Sequence, residues 1–106
     1  MLKKINRLSK RSEFDEVKNK GELKQYPLFG FLYLKMEDKE KKFGFIISKK
    51  ISKRAVDRNR IKRLMTEVLR MNLEKFEDGI RGIFLVKRNI LGMGWEEVEK
   101  EVMKIL

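Results

Sequence analysis

From Ala55 to Asn72 the chain contains neither Gly nor Pro, and its apolar residues recur with the period of an α-helix. At about 100° per residue, Ile61, Leu64, Met65 and Val68 collect on one side, with Leu69 and Met71 at its margins. Arg58, Asn59, Lys62, Arg63, Thr66 and Arg70 fall on the opposite side. A long helix with one apolar stripe has to bury that stripe against another layer, so this segment alone asks for a packed domain. Its polar side is unusual in sign. Between Lys49 and Arg63 there are eight basic residues (Lys49, Lys50, Lys53, Arg54, Arg58, Arg60, Lys62, Arg63) against one acid, Asp57, while the whole protein carries +11. Solvated helix faces usually mix signs and support themselves with Glu-to-Lys pairs four apart. Here the acids that could do this are nearly missing, and unopposed positive charge repels itself unless a polyanion comes to it.

The N-terminal segment repeats the pattern. Lys3, Lys4, Arg7, Lys10 and Arg11 are accompanied by no acid, so the two basic stretches together hold +12 and the rest of the chain −1. Either both lie on one RNA-binding surface, or the first is a frayed basic tail. With 106 residues there is room for one domain, spanning residues 1–106, that buries roughly 60–65% of its unfolded surface. No apolar run reaches the 18 or so residues of a membrane span, and Met1-Leu2-Lys3-Lys4 leads into no apolar signal core, so the expected location is the cytoplasm, away from membranes.

The chain has no Cys and no His. That removes disulfides, thiol nucleophiles, the usual zinc sites and the side chain best suited to proton transfer near neutral pH. Carboxylates do not fill the gap. Glu37-Asp38-Lys39-Glu40 reads as a polar hairpin turn, and Glu96, Glu97, Glu99 and Glu101 as outward positions of one helix, so no metal site and no catalytic residue is expected on the protein.

The remaining elements follow from local signals. Ser12 reads as the N-cap of a short helix, with Glu13 in its first turn, Asp15 three residues on, and an end before Gly21; Phe14 and Val17 are its apolar stripe. Residues 28–35 read as the first strand, with Phe29, Phe31 and Tyr33 on one side and Leu28, Gly30, Leu32 and Leu34 on the other. Residues 43–48 are expected to pair back antiparallel with it, and Ser48 to Ile51 offers a short third strand. Past the basic helix, Glu77-Asp78-Gly79 is a turn, and Ile83-Phe84-Leu85-Val86 a strand covered on both sides. Trp95, Val98, Val102 and Ile105 form the stripe of a final helix over residues 95–106. The expected fold is α+β, a two-layer α/β sandwich with a small mixed four-stranded sheet in the order α-β-β-β-α-β-α.

Residues 43–70, FGFIISKKISKRAVDRNRIKRLMTEVLR, resemble the bacterial ribonuclease P protein subunit, whose signature is a strand ending in Ser-Lys-Lys, a short basic turn and an Arg-Asn-Arg helix. Weaker agreement runs from Arg7 to the final helix. The resemblance implies a left-handed crossover through the basic helix, where handedness statistics predict the opposite. It implies two partners, the catalytic RNA subunit and precursor tRNA with its 5′ leader, and a reaction in which the RNA, with Mg, carries the hydrolysis. DNA is not an expected partner, since no second short helix precedes the basic one as a helix-turn-helix requires.

Carried over by position, Arg58, Asn59, Arg60, Lys62 and Arg63 would meet the catalytic RNA, extended by Lys49, Lys50, Lys53, Arg54 and Arg70. Arg60 also projects toward Glu67, with which it could form an ion pair. Phe14, Lys18, Tyr33 and Ser48 would meet the leader, in a cleft between the first helix and the sheet. Phe14 serves either there or as ordinary core. Lys18 stands where the family commonly has a second aromatic, Thr66 where it usually has an Arg, and Ser52-Lys53-Arg54 where it often has a Gly. Ungapped alignment puts Leu32 at the strand position facing the leader and a one-residue shift puts Tyr33 there; an aromatic fits the task better. If about five to eight phosphates are engaged, log K falls with log salt at a slope of roughly −4 to −7. The competing reading is a ribosomal or general RNA-binding protein, which would bind RNA with no dependence on a leader.

Overall fold

The computed structural model describes residues 2–106. Helix α1 (Arg11–Lys20) is followed by strands β1 (Glu22–Gln25), β2 (Phe29–Lys35) and β3 (Lys42–Ile46), the long helix α2 (Ala55–Asn72), strand β4 (Ile80–Val86) and helix α3 (Trp95–Met103). The strands form one mixed sheet in the order β1-β2-β4-β3. β2 runs antiparallel to both of its neighbours, β1 and β4, and β3 lies parallel to β4.

The expected pairing of residues 43–48 with the first strand is not made. β4 stands between them, with Phe84 opposite Phe31 on one side and Phe45 on the other. The cause is β4's own composition. Its run Ile83-Phe84-Leu85-Val86 has apolar side chains on both faces, so it takes the place where strands and helices cover it most completely. The segment 36–41 accordingly crosses the end of β4 instead of closing a tight hairpin. Arg81, 8% exposed, reaches Asp38 Oδ2 at 2.6 Å and donates to the Glu40 carbonyl at 3.0 Å. Gly79, at φ 85°, donates to that same carbonyl at 2.9 Å while accepting from the Met36 N–H at 2.8 Å. Asp38 stays exposed, as expected of a turn residue, but is also a structural partner of Arg81, whose guanidinium holds its carboxyl below the usual range.

Two further strand expectations change. β1 has four exposed residues and so carries no alternation to betray it. Ser48 to Ile51 forms a turn, with the Ile51 N–H donating to Ser48 O at 3.1 Å, where a short strand was expected.

The pleat assigns each strand's residues to one of two faces. Phe29, Phe31, Phe43 and Phe84 lie on the face covered by α2 and α3, and Phe29 meets Phe84 edge-on at 5.0 Å. Ile61, Met65, Val68 and Leu69 descend onto them from α2, each 0% exposed, and each such burial contributes about 1.5–3 kcal/mol. Asn72 locks α2 to α3, donating to Val68 O at 2.8 Å and Glu99 Oε2 at 3.1 Å. Glu101, expected outside, is only 6% exposed, with Lys104 Nζ 2.6 Å from its carboxylate. The other face carries a smaller cluster, in which Val17 of α1 packs with Leu8 and Ile83, flanked by Phe14, Leu32, Leu34 and Ile46. No helix among the described residues is long and apolar enough to cross a membrane.

α1 begins one residue before the expected cap. Lys10 is the N-cap, and Glu13, at the third helical position, reaches back to accept from the Ser9 and Lys10 N–H groups at 3.3 and 3.2 Å. Its second oxygen meets Lys42 Nζ of β3 at 3.0 Å, so one carboxylate both starts α1 and ties it to the sheet. Burial raises the Glu13 pKa, but the Lys42 and backbone hydrogen bonds outweigh it and hold the pKa below the ordinary value. A depressed folded-state pKa gives stability that is present above the unfolded carboxyl pKa and is lost as pH falls through the folded one. Glu13→Ala is therefore expected to lose about 1 kcal/mol at neutral pH, with the gap to the unsubstituted protein closing in acid, as read by denaturant titration across pH.

Candidate nucleic-acid interface

α2 starts from a fastened loop. The Arg54 N–H donates to Ser52 Oγ at 3.2 Å, Ser52 Oγ donates to Asp57 Oδ2 at 2.9 Å, and Arg58 Nη1 donates to Ser52 O at 2.8 Å. Asp57 sits in the first helical turn, where a negative charge complements the helix dipole. This sole acid of the basic stretch is thus used within the loop. Arg58 commits one donor to the loop as well, and its remaining donors stay at the helix start beside exposed Lys53 and Arg54. Lys49 and Lys50 are exposed in the preceding turn, which buried Ile51 anchors.

One turn further, α2 forms a wall of a cleft of about 600 Å³. Asn59, Lys62 and Arg63 line it from α2, Gly44 and Phe45 from β3, and Phe14 from α1. Thr66 closes the floor, 9% exposed, with its hydroxyl satisfied by the carbonyls of Lys62 at 2.6 Å and Arg63 at 3.0 Å. The Phe14 ring rests directly on Gly44, where an added Cβ would come within 2.5 Å of it. The cleft is lined by basic, polar and apolar side chains with no acid among them. Such a surface can take phosphate oxygens on its rim and an aromatic or apolar group on its floor. The N-terminal basic stretch is docked at this place too: Leu2 is 2% exposed, and Asn6 Nδ2 donates to Lys41 O at 2.8 Å. It is no frayed tail.

Among the described residues, no group of three or more Asp or Glu side chains is placed to hold a metal ion. A model of the ribonuclease P protein family matches residues 2–106. The chain belongs to that family. It is 33% identical over 105 residues to the ribonuclease P protein component of Nitratiruptor sp., covering 99% of this chain and 93% of that one. It is 36% identical over 107 residues to the component of Fusobacterium nucleatum, covering 95% and 94%. The fold is that of solved ribonuclease P proteins. The protein from Thermotoga maritima superposes with a TM-score of 0.85 at 21% identity over 94% of each chain. That from Staphylococcus aureus gives 0.84 at 21% identity over 96% of this chain and 93% of its own.

The ribonuclease P resemblance named further residues, and the structure separates them. Tyr33 is not on the Phe14 side. It stacks on Phe31 at 5.5 Å on the opposite face, donates its hydroxyl to Glu22 Oε2 at 2.9 Å, and has Lys24 Nζ 5.6 Å from its ring centre. That hydrogen bond raises the Tyr33 pKa. Pleat alternation is the reason: Phe29, Phe31 and Tyr33 share one face, so Leu32 is the residue that joins the Phe14 cluster. Leu32, the residue of the unshifted alignment, is therefore the one on the Phe14 side. Tyr33 lines a separate cavity of about 390 Å³ with Phe31, Phe76 and Ile80.

Lys18 is exposed one turn beyond Phe14, and Ser48 is exposed past the end of β3; neither lines the cleft. The ion pair expected of Arg60 is made by Arg70, whose guanidinium reaches Glu67 Oε1 at 2.9 Å and Oε2 at 3.1 Å. Arg70, three residues from Glu67, lies over it, and the pairing takes the Glu67 pKa down to about 2. Arg70 therefore stays charge-compensated at ordinary pH, while Arg60 is exposed.

Sequence reasoning passed over Gly44 as the seat of Phe14. Its only signal was the break in alternation between Phe43 and Phe45. Gly44→Ala forces the ring off its seat, and a cost of about 1–3 kcal/mol is expected by thermal or denaturant unfolding.

Proposed function

We propose that this protein is the protein subunit of ribonuclease P, which removes the 5′ leader from precursor tRNA in the cytoplasm. The exposed α2 residues Asn59, Arg60, Lys62 and Arg63, with Lys53 and Arg54 at the helix start, bind the catalytic RNA, and Lys62 and Arg63, which also line the cleft, reach the leader as well. The unpaired leader enters the cleft beside them and passes over Phe14. The observation that carries this reading is the meeting of Phe14 with Asn59, Lys62 and Arg63 around one cleft. Arginine forks and lysine ammonium groups neutralise phosphates, Asn59 can bond a base edge or a 2′-hydroxyl, and an unstacked base can lie on the Phe14 ring. Leu32, not Tyr33, is the strand residue on this side.

In this reading the RNA subunit carries the Mg ions and the phosphodiester hydrolysis, and the protein supplies grip and position. Neutralising phosphates lowers the Mg concentration at which the two RNAs come together productively, because cations and basic side chains screen the same repulsion. The protein then binds leader-bearing tRNA in preference to the mature form, since only the former offers an unpaired strand.

The test is cleavage of a leader-bearing precursor tRNA by a bacterial catalytic RNA at low Mg, with and without this protein. Rescue of cleavage is expected. Phe14→Ala should weaken binding of leader-bearing tRNA roughly 5- to 150-fold, the equivalent of about 1–3 kcal/mol of stacking, and leave binding of leaderless tRNA unchanged. No rescue, with equal binding of both tRNAs, would reduce the protein to a general RNA-binding domain.

A further inference from the structure

The cleft has a second basic wall, made by the N-terminal strap. Leu2 is buried in the cluster beneath α2, and Leu8, 7% exposed, in the cluster beneath α1. These clusters lie on opposite faces of the sheet, so residues 2–8 cross the free edge of β3 to reach both. The crossing is fastened at the Asn6 to Lys41 hydrogen bond, and again where Arg7 bridges in parallel to Phe43 and the Leu8 N–H donates to Phe43 O at 2.9 Å. The strap thereby covers an edge that would otherwise present unpaired backbone groups.

Its position also fixes charge in space. Lys4 and Arg7 line the cleft from the strap, as Lys62 and Arg63 do from α2. None of these four takes part in an ion pair among the described residues. Four cations around an acid-free groove repel one another until a polyanion lies between them. Some basic side chains of the protein do have acidic partners, as Lys42 has Glu13 and Arg81 has Asp38, but none of the four lining the cleft is among them.

We propose that the strap is a phosphate-binding wall: Lys4 and Arg7 hold the backbone of an RNA single strand from one side while Lys62 and Arg63 hold it from the other, with a base of that strand on Phe14. This rests on the single-strand reading of the cleft given above. The site selects unpaired RNA, because a duplex keeps its bases stacked and paired and has none to place on a ring at the floor of a groove.

The experiment measures the salt dependence of binding for a short unstructured RNA oligonucleotide. The unsubstituted protein is compared with Phe14→Ala, with Lys4→Ala/Arg7→Ala, and with Lys24→Ala/Lys75→Ala, which removes the same formal charge at the other cavity. All four substituted lysine and arginine side chains are exposed, and unchanged melting temperatures verify folding. The strap variant is expected to flatten the slope of log K against log salt by about 1.4, two phosphates at about 0.7 each, with little change in the control. Arg7→Lys should restore its half of that loss.

If Phe14→Ala weakens binding but the strap variant matches the control, the second wall is overturned and the leader cleft stands. If Phe14→Ala has no effect, the strand does not run through the cleft, and the functional reading and the second wall fall together.

Discussion

Central placement of β4 is the constraint from which the rest follows. A strand with Ile83 and Leu85 on one face and Phe84 and Val86 on the other has to be covered on both, and it receives β2 antiparallel and β3 parallel as neighbours. A parallel pair cannot be joined by a tight turn, so the chain between β3 and β4 must travel the length of the sheet, and α2 is that connection. The crossover sets the basic helix beside β3, whose outer edge is free for the N-terminal strap. Charge and cleft meet there because the topology leaves them no other place.

Much of this was legible in the sequence. The period of α2 marked Ile61, Met65 and Val68 as core, and each is fully buried. The unbroken run in β4 announced a strand with two covered faces. Strand pairing was the hidden part, since the choice between a β2–β3 hairpin and an inserted β4 depends on residues distant in sequence. Arg81 is an example: its contacts with Asp38 and Glu40 bend the 36–41 segment, and nothing local to that segment foretells it. β1 was invisible because all four of its residues are exposed.

The candidate site was legible in composition and less so in geometry. The sequence marked the basic face of α2 and singled out Phe14, and they line one cleft. Tyr33 lies on the face away from Phe14, because the pleat and not the type of side chain decides which face a residue occupies. Arg70 and Glu67 show a similar limit. A helical wheel shows which charges are near, but not which rotamer closes the pair. Gly44 is the residue with least sequence signal and much spatial consequence, because the absence of its side chain lets the Phe14 ring lie on the sheet.

The proposed function divides labour between RNA and protein in a way the side chains permit. The chain has no His and no Cys, and what it offers instead is positive charge held in register by a rigid sheet and two docked basic segments. The most direct test of where RNA runs is a map of backbone amide shifts as a leader-length RNA single strand is titrated into the isotopically labelled protein. The proposed path predicts shifts confined to residues 4–14, 43–46 and 59–66, with β1, Tyr33 and α3 silent. Shifts centred on Lys24, Tyr33 and Lys75 instead would place the strand on the opposite face and contradict it.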